Sequence, residues 1–381
     1  MEDLVMERRK MVKLGIEPSL LGFGCMRFPT LEDGKIDEVT AEKMLDEAMA
    51  QGVTYYDTAF PYHGGDSEPF VGRVLNKYDR SSYFLATKLP IWLVESPEHA
   101  RQIFDDQLKR LDKDYVDFYL IHALDKERFE KVKEMKIVEM CEELRKEGKI
   151  RYLGFSFHDD YEVFEEIINY HDWDFCQIQY NYMDTDVQAG DRGYRLAEEK
   201  GIPMVIMEPV RGGLLAGFSD DITEMFKKAA PDNSVASWAV RWVASHPNVK
   251  VVLSGMSTPE QVKDNLSTFN NFKPLSEEEE KTVEQVVKTL KGRVQNGCTG
   301  CRYCMPCPAG VNIPGSFRIW NDYHIYQNYK FVKNRWENEL GEDAKPQNCA
   351  ECGACEEQCP QKISIREHLK RVQQELDHPI W

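Results

Sequence analysis

Eight short β-rich runs, each followed by a longer amphipathic stretch, recur between Leu21 and Ser254. They are LGFG from Leu21, VTYYD from Val53, YFLATK from Tyr83, YVDFYLIH from Tyr115, IRYLGFS from Ile150, FCQIQY from Phe175, PMVIME from Pro203 and VKVVLS from Val249. Between them lie stretches with helical periodicity, among them VTAEKMLDEAMAQG from Val39, PEHARQIFDDQLKRL from Pro97, Arg128 to Lys149, and SVASWAVRWVASH from Ser234. Strands that alternate with helices point to a parallel sheet, and eight of them is the number that closes a (β/α)₈ barrel. A doubly wound open sheet is the alternative, but no GxGxxG turn follows the first run to support it.

In a closed barrel the carboxyl ends of the strands converge on one face, where barrel enzymes keep their chemistry. The residues expected there are polar: Asp57, Lys88, His122, Ser156, Gln177 with Asn181, Glu208 and Ser254. Taken singly, each is an ordinary strand-end residue. Asp57, Lys88 and His122 form a set with Tyr62, which follows Asp57 after a short loop. A tyrosine can give its proton to a carbonyl oxygen, but a free phenol holds it too tightly, with a pKa near ~10. The Lys88 ammonium is expected to lower that value, Asp57 to fix the lysine, and His122 to orient the carbonyl. His63 and His158 fall where substrate loops belong and read as solvated bystanders.

The segments YDTAFPY from Tyr56 with Ser67-Glu68 after it, ATK ending at Lys88, DFYLIH ending at His122 and QIQYN from Gln177 resemble the aldo-keto reductases. The resemblance runs from LGFGCMRF at Leu21 through STPEQVKDN ending at Asn265. It implies a (β/α)₈ barrel, an oxidoreductase, NAD(P)H as hydride donor and an aldehyde or ketone as substrate. Asp57, Tyr62, Lys88 and His122 match the family's catalytic tetrad. Ser156 and Gln177 match positions that grip the nicotinamide amide, although Phe157 replaces the usual Asn and Met207-Glu208-Pro209 stands where a stacking aromatic often lies. Arg211 and Gly212 could face the pyrophosphate, and Gly255, Gln261 and Asn265 the adenosine end. Many NADPH-binding members carry basic residues there, and this chain offers only Lys263 nearby, so NADH and NADPH both stay open.

Beyond the barrel the composition changes. Of 11 cysteines, Cys25, Cys141 and Cys176 read as small buried hydrophobes. The others form two sets, Cys298-x₂-Cys301-x₂-Cys304-x₂-Cys307-Pro308 and Cys349-x₂-Cys352-x₂-Cys355-x₃-Cys359-Pro360. The second has the spacing of two-cluster bacterial ferredoxins and the first differs from it by one residue. Zinc competes for CxxC pairs, but tight triplets and a Cys-Pro after each set favour two [4Fe–4S] clusters. In the ferredoxin arrangement the fourth cysteine of each set serves the other cluster. One cluster would then use Cys298, Cys301, Cys304 and Cys359, the other Cys349, Cys352, Cys355 and Cys307.

The sequence therefore divides into a barrel over 1–292 and a small ferredoxin-like α+β domain over 293–381, with an inserted helix or two in FRIWNDYHIYQNYKFVKNRW from Phe317. The helical stretch SEEEEKTVEQVVKTLKGR from Ser276 is expected to end the barrel domain. A net charge of −17 makes nucleic acid and membrane surfaces poor partners. The N-terminus lacks the apolar stretch of a signal peptide, so a cytoplasmic protein is expected. The clusters either staple the tail or pass single electrons, with a ferredoxin or another electron-transfer protein as partner. Against the reductase reading stands an enzyme in which the clusters feed electrons to a substrate or partner at the barrel mouth. A nicotinamide-holding redox sensor is a third reading, which turnover would disfavour.

Overall fold

The computed structural model describes residues 5–378, which fall into two compact units. The first ends at Arg211 and resumes over Ser237–Leu275; the second comprises Gly212–Ala236 and the chain from Ser276 onward.

In the first unit all eight expected strands form: β1 (Leu21–Gly24), β2 (Tyr55–Asp57), β3 (Phe84–Leu89), β4 (Val116–Leu124), β5 (Ile150–Phe157), β6 (Phe175–Gln179), β7 (Met204–Met207) and β8 (Val249–Ser254). They pair in parallel in chain order, and β8 closes on β1, which rules out the open sheet. The barrel interior is packed with Tyr55, Phe118, Phe175, Val205 and Val251. Large side chains fit because small ones stand opposite them. A Cβ at Gly154 would lie 2.6 Å from the Phe175 ring. An antiparallel bridge between Met11 and Ile16, which periodicity does not announce, adds the fully buried Met11 to the interior cluster.

Outside the strands, helices present one apolar stripe to the sheet. Helix Pro97–Leu111 starts where Ser96 accepts a hydrogen bond from the His99 N–H, and it buries Ala100, Phe104, Leu108 and Leu111. The stretch expected as one helix from Arg128 to Lys149 is two, Lys126–Glu134 and Ile137–Lys146, parted at Lys136 with φ of 50°. The first buries Phe129 and Val132, the second Ile137, Val138, Met140, Cys141 and Leu144. These faces are out of phase on one continuous helix, so the chain breaks to bury both.

The second unit corrects the expected α+β tail. Among its described residues there is no β-strand, only helices and turns. Positive φ at Gly300, Arg302, Gly310, Glu351 and Gly353 keeps turning the cysteine-rich segments, so no extended run is long enough to pair. The aromatic run gives two helices, Ile313–Tyr326 and Tyr329–Asn338, separated at Gln327 with φ of 51°. They form a core with Ile365–Asp377 through Phe317, Trp320, Tyr323, Trp336, Leu369 and Val372. Helix Glu277–Lys291, with its Ser276–Glu279 capping box, groups with this unit and not with the barrel.

Candidate active site and cysteine cavities

β2 ends on Asp57, β3 carries Lys88, β4 carries His122, and Tyr62 opens the turn Tyr62–Gly65. The four side chains meet. Lys88 Nζ donates to Asp57 Oδ1 at 2.6 Å, to the Thr58 carbonyl at 2.9 Å and to the Tyr62 hydroxyl at 3.3 Å. The His122 ring stands edge-on to Tyr62 with centroids 6.3 Å apart, and Trp92 lies 5.1 Å beyond it.

Asp57 and Lys88 are both buried. Burial pushes the Asp57 carboxyl up while the ammonium pulls it back. For Lys88, burial opposes the charge, but attraction to Asp57 and Tyr62 outweighs it and the pKa is raised. Lysine therefore stays protonated. Tyr62 departs from the sequence expectation: burial raises its phenol by more than Lys88 lowers it. A phenolate loses most of its hydration there, and one partly shared ammonium does not compensate. His122 is held well below its usual range by burial first, then by Lys88, His158 and Arg128. It is neutral, and its Nδ1 is buried with no partner among the described residues.

A buried frame fixes this set. Glu68, fully buried, accepts from Thr87 Oγ1 at 2.7 Å, Gln107 Nε2 at 2.9 Å and Arg110 Nε at 2.7 Å, and Gln107 Nε2 also donates to the Lys88 carbonyl at 2.9 Å. Gln107 and Arg110 both come from helix Pro97–Leu111, and no motif in the sequence marks either of them. His63 is no bystander: its Nε2 accepts from the Phe28 N–H at 3.2 Å and ties the β1 loop to the turn bearing Tyr62. His158 is exposed, and its N–H donates to the Leu124 carbonyl at 2.9 Å.

Ser156 and Gln177 sit opposite each other on β5 and β6. Ser156 Oγ accepts from the Ala123 N–H at 2.7 Å. Gln177 Oε1 is buried with no partner among the described residues. Asn181 accepts from the Met183 and Asp184 N–H groups and so shapes a loop. Arg211 pairs with Asp184 at 3.0 Å. Gly212, with φ of 65°, belongs to the second unit. After β8, Gly255 is exposed, Gln261 Oε1 accepts from the Ser257 N–H at 2.7 Å, and buried Asn265 donates to Ser254 Oγ at 2.9 Å. Arg27 also arrives here, unannounced by the sequence: its side chain runs over Gly255, and its carbonyl accepts from Ser257 Oγ at 2.8 Å.

None of the eleven cysteines is paired in a disulfide. In the second unit one cavity is lined by Cys298, Cys301, Cys304 and Cys359, and another by Cys307, Cys349, Cys352 and Cys355, with Cys304 lining the second as well. The crossing of Cys307 and Cys359 between sets is the pattern that the spacing suggested. Beside the first cavity the Cys298 N–H donates to Asn296 Oδ1 at 3.1 Å, while Asn296 Nδ2 is buried and unpartnered among the described residues. A sulfur-rich group would give that orphaned donor an acceptor.

Residues 20–288 match the model of the aldo/keto reductase family, and residues 297–363 that of a 4Fe-4S dicluster domain. The chain belongs to the aldo/keto reductase family. This reductase is 28% identical over 313 residues to the uncharacterized oxidoreductase YqkF of Bacillus subtilis, a match covering 74% of this chain and 97% of that one. It is 26% identical over 281 residues to the NADH-specific methylglyoxal reductase of Escherichia coli, covering 62% of this chain and 85% of the relative. Among solved structures, an aldo-keto reductase from Bacillus halodurans in its holo form aligns with a TM-score of 0.62 at 29% identity, over 74% of this chain and 96% of that one. Each of these matches leaves part of the chain uncovered, and the dicluster match lies towards its C-terminal end.

The residues of this oxidoreductase fit a nicotinamide. Its carboxamide would donate to the orphaned Gln177 Oε1, and the Ser156 hydroxyl, which already accepts from Ala123, keeps its own proton to donate. No helix among the described residues is long and apolar enough to cross a membrane.

Proposed function

We propose that this aldo/keto reductase reduces an aldehyde or ketone with NAD(P)H, that Asp57, Tyr62, Lys88 and His122 form its active site, and that its tail holds two [4Fe–4S] clusters. The observation that carries this reading is the buried Lys88 ammonium bonded to both Asp57 and the Tyr62 hydroxyl. When bound, the reduced nicotinamide supplies a hydride to the carbonyl carbon. Tyr62 gives its O–H proton to the carbonyl oxygen. Lys88, 3.3 Å away, stabilises the phenolate left behind and is itself held by Asp57. Neutral His122 can donate an N–H to the same oxygen and align it. Ser156 and Gln177 are assigned the carboxamide, Arg211 the pyrophosphate, and Gly255, Gln261 and Asn265 the adenosine. Oxygen-labile clusters suit a reducing compartment, which favours the cytoplasm.

The reading is tested on anaerobically purified full-length protein. About eight irons per chain are expected, with bleaching in air, and turnover of an aldehyde panel with NADH or NADPH. Stoichiometric zinc with little iron would sink the cluster assignment. A loaded protein that reduces no carbonyl with either nucleotide, yet is reduced by a ferredoxin, would favour the second reading. There the clusters serve a substrate or partner at the barrel mouth.

We assign to Arg27 the discrimination between NADH and NADPH. The aliphatic stem of Arg27 lies against Gly255, at the end assigned to the adenosine, which makes its guanidinium the candidate partner of a 2′-phosphate; a charge-assisted hydrogen bond to that group corresponds to roughly 10- to 100-fold in affinity. Arg27→Gln should therefore weaken NADPH binding by at least ~10-fold and leave NADH unchanged in fluorescence titrations. Equal effects on both nucleotides would assign Arg27 to the pyrophosphate or to the loop.

A further inference from the structure

Beyond His122 the rim of the barrel carries a cation that the proton chemistry leaves unused. Arg128, in the helix Lys126–Glu134, donates from one Nη to the Ala123 carbonyl at 2.7 Å. Ala123 directly follows His122 and is held at φ of 54°, its N–H donating to Ser156 Oγ at 2.7 Å. The Arg128 guanidinium lies 5.4 Å from the Trp92 ring centre, Trp92 lies 5.1 Å from His122, and His122 lies 6.3 Å from Tyr62. Phenol, imidazole, indole and guanidinium thus follow one another outward from the proton donor.

The hydrogen-bonding edge of Arg128 is only partly used. Its one carboxylate partner among the described residues is Asp125, at 3.4 Å through the same Nη. The other Asp125 oxygen is committed to capping the helix by accepting the Arg128 N–H at 2.8 Å. Nε and the second Nη make no hydrogen bond or ion pair among the described residues, and the side chain is 36% exposed.

We infer that the substrate is a carbonyl compound bearing an anionic group, a carboxylate or a phosphate, which Arg128 binds across the Trp92 ring while Tyr62 and His122 hold the carbonyl. This rests on the reading of Tyr62 and His122 above and names the substrate class. Two free N–H groups of a planar guanidinium match the two oxygens of a carboxylate or phosphate. The Ala123 carbonyl and the Trp92 face already hold the guanidinium, so little side-chain freedom remains to be lost on binding. The 39%-exposed indole offers an apolar surface to the carbons between carbonyl and anion. A chain of net charge −17 repels anions at long range, so an anionic substrate needs a cation at the site itself. Lys88 cannot serve, because it is buried and bonded to Asp57.

The test is anaerobic steady-state kinetics on the full chain with matched substrates, 4-oxobutanoate against butanal and glyceraldehyde 3-phosphate against glyceraldehyde. The wild-type protein should favour at least one anionic member by about 10-fold or more in kcat/KM, and the two pairs separate carboxylate from phosphate. Arg128→Gln should erase that preference through KM, with the neutral aldehydes within about 2-fold of wild type, and Arg128→Lys should restore part of it. A wild-type protein without preference, or an Arg128→Gln variant that slows both members of a pair alike, overturns the inference. If no aldehyde turns over, the reading of Tyr62 has failed, and calorimetric titration with succinate and inorganic phosphate decides the anion site. Binding of either that is lost in Arg128→Gln sustains it; no binding, or binding unaffected by the variant, ends it.

Discussion

Replacing Tyr62 with phenylalanine should lower carbonyl reduction by at least ~10²-fold, the typical cost of losing a general acid, with nucleotide affinity nearly unchanged. The ring stays, so packing against His122 is preserved, and only the proton and the bond from Lys88 are removed. The direction of the phenol shift fixes the pH dependence. Burial raises the Tyr62 pKa above its ordinary value of 10.0, so the protonated donor persists from neutral pH upward. Where this proton transfer limits the rate, reduction should stay flat through the neutral range and decline only as pH climbs past the raised pKa. The reverse oxidation needs the phenolate and should rise with pH. A lowered phenol, as charge counting alone suggests, would instead make reduction fall close to neutrality. Near-normal turnover by Tyr62→Phe would move proton delivery to His122 or His158.

The phenol shows where sequence reading stops. The residues that meet at Lys88 were legible, because a strand-helix alternation of eight units tells which positions lie at the carboxyl ends of strands. Their balance of forces was not, because charge is written in the sequence and burial is not. Helix Pro97–Leu111 was legible to the residue, since Ser96 caps it and Pro97 opens it. The break at Lys136 was hidden, because a lysine at φ of 50° carries no glycine or proline signal. Cysteine spacing announced two sets, but not that turns would replace strands around them. Gln107, Arg110, Arg27, Trp92 and Arg128 went unnoticed for one reason: each acts through space on a residue from another element.

Cys359→Ala separates a brace from an electron relay. Cys359 lines one cavity with Cys298, Cys301 and Cys304, although the nearest of these in sequence lies on the far side of both helices of the aromatic insert. A cluster held there ties the two ends of the tail together, so its loss should lower thermal stability in either case. The functional outcomes differ. If the clusters only brace, the folded fraction of the variant should reduce carbonyls with NAD(P)H at a normal rate per active site. If they carry electrons, activity driven by reduced ferredoxin or dithionite should vanish while nucleotide binding survives. Stability loss changes how many molecules are folded, whereas a broken relay changes what each folded molecule can do. The relay is the expected result, since zinc would brace a tail without sensitivity to oxygen. Cys307→Ala should damage mainly the other cluster, because Cys307 lines the cavity of Cys349, Cys352 and Cys355. Cluster EPR signals that never respond to reduced nicotinamide, reduced ferredoxin or substrate would establish the brace.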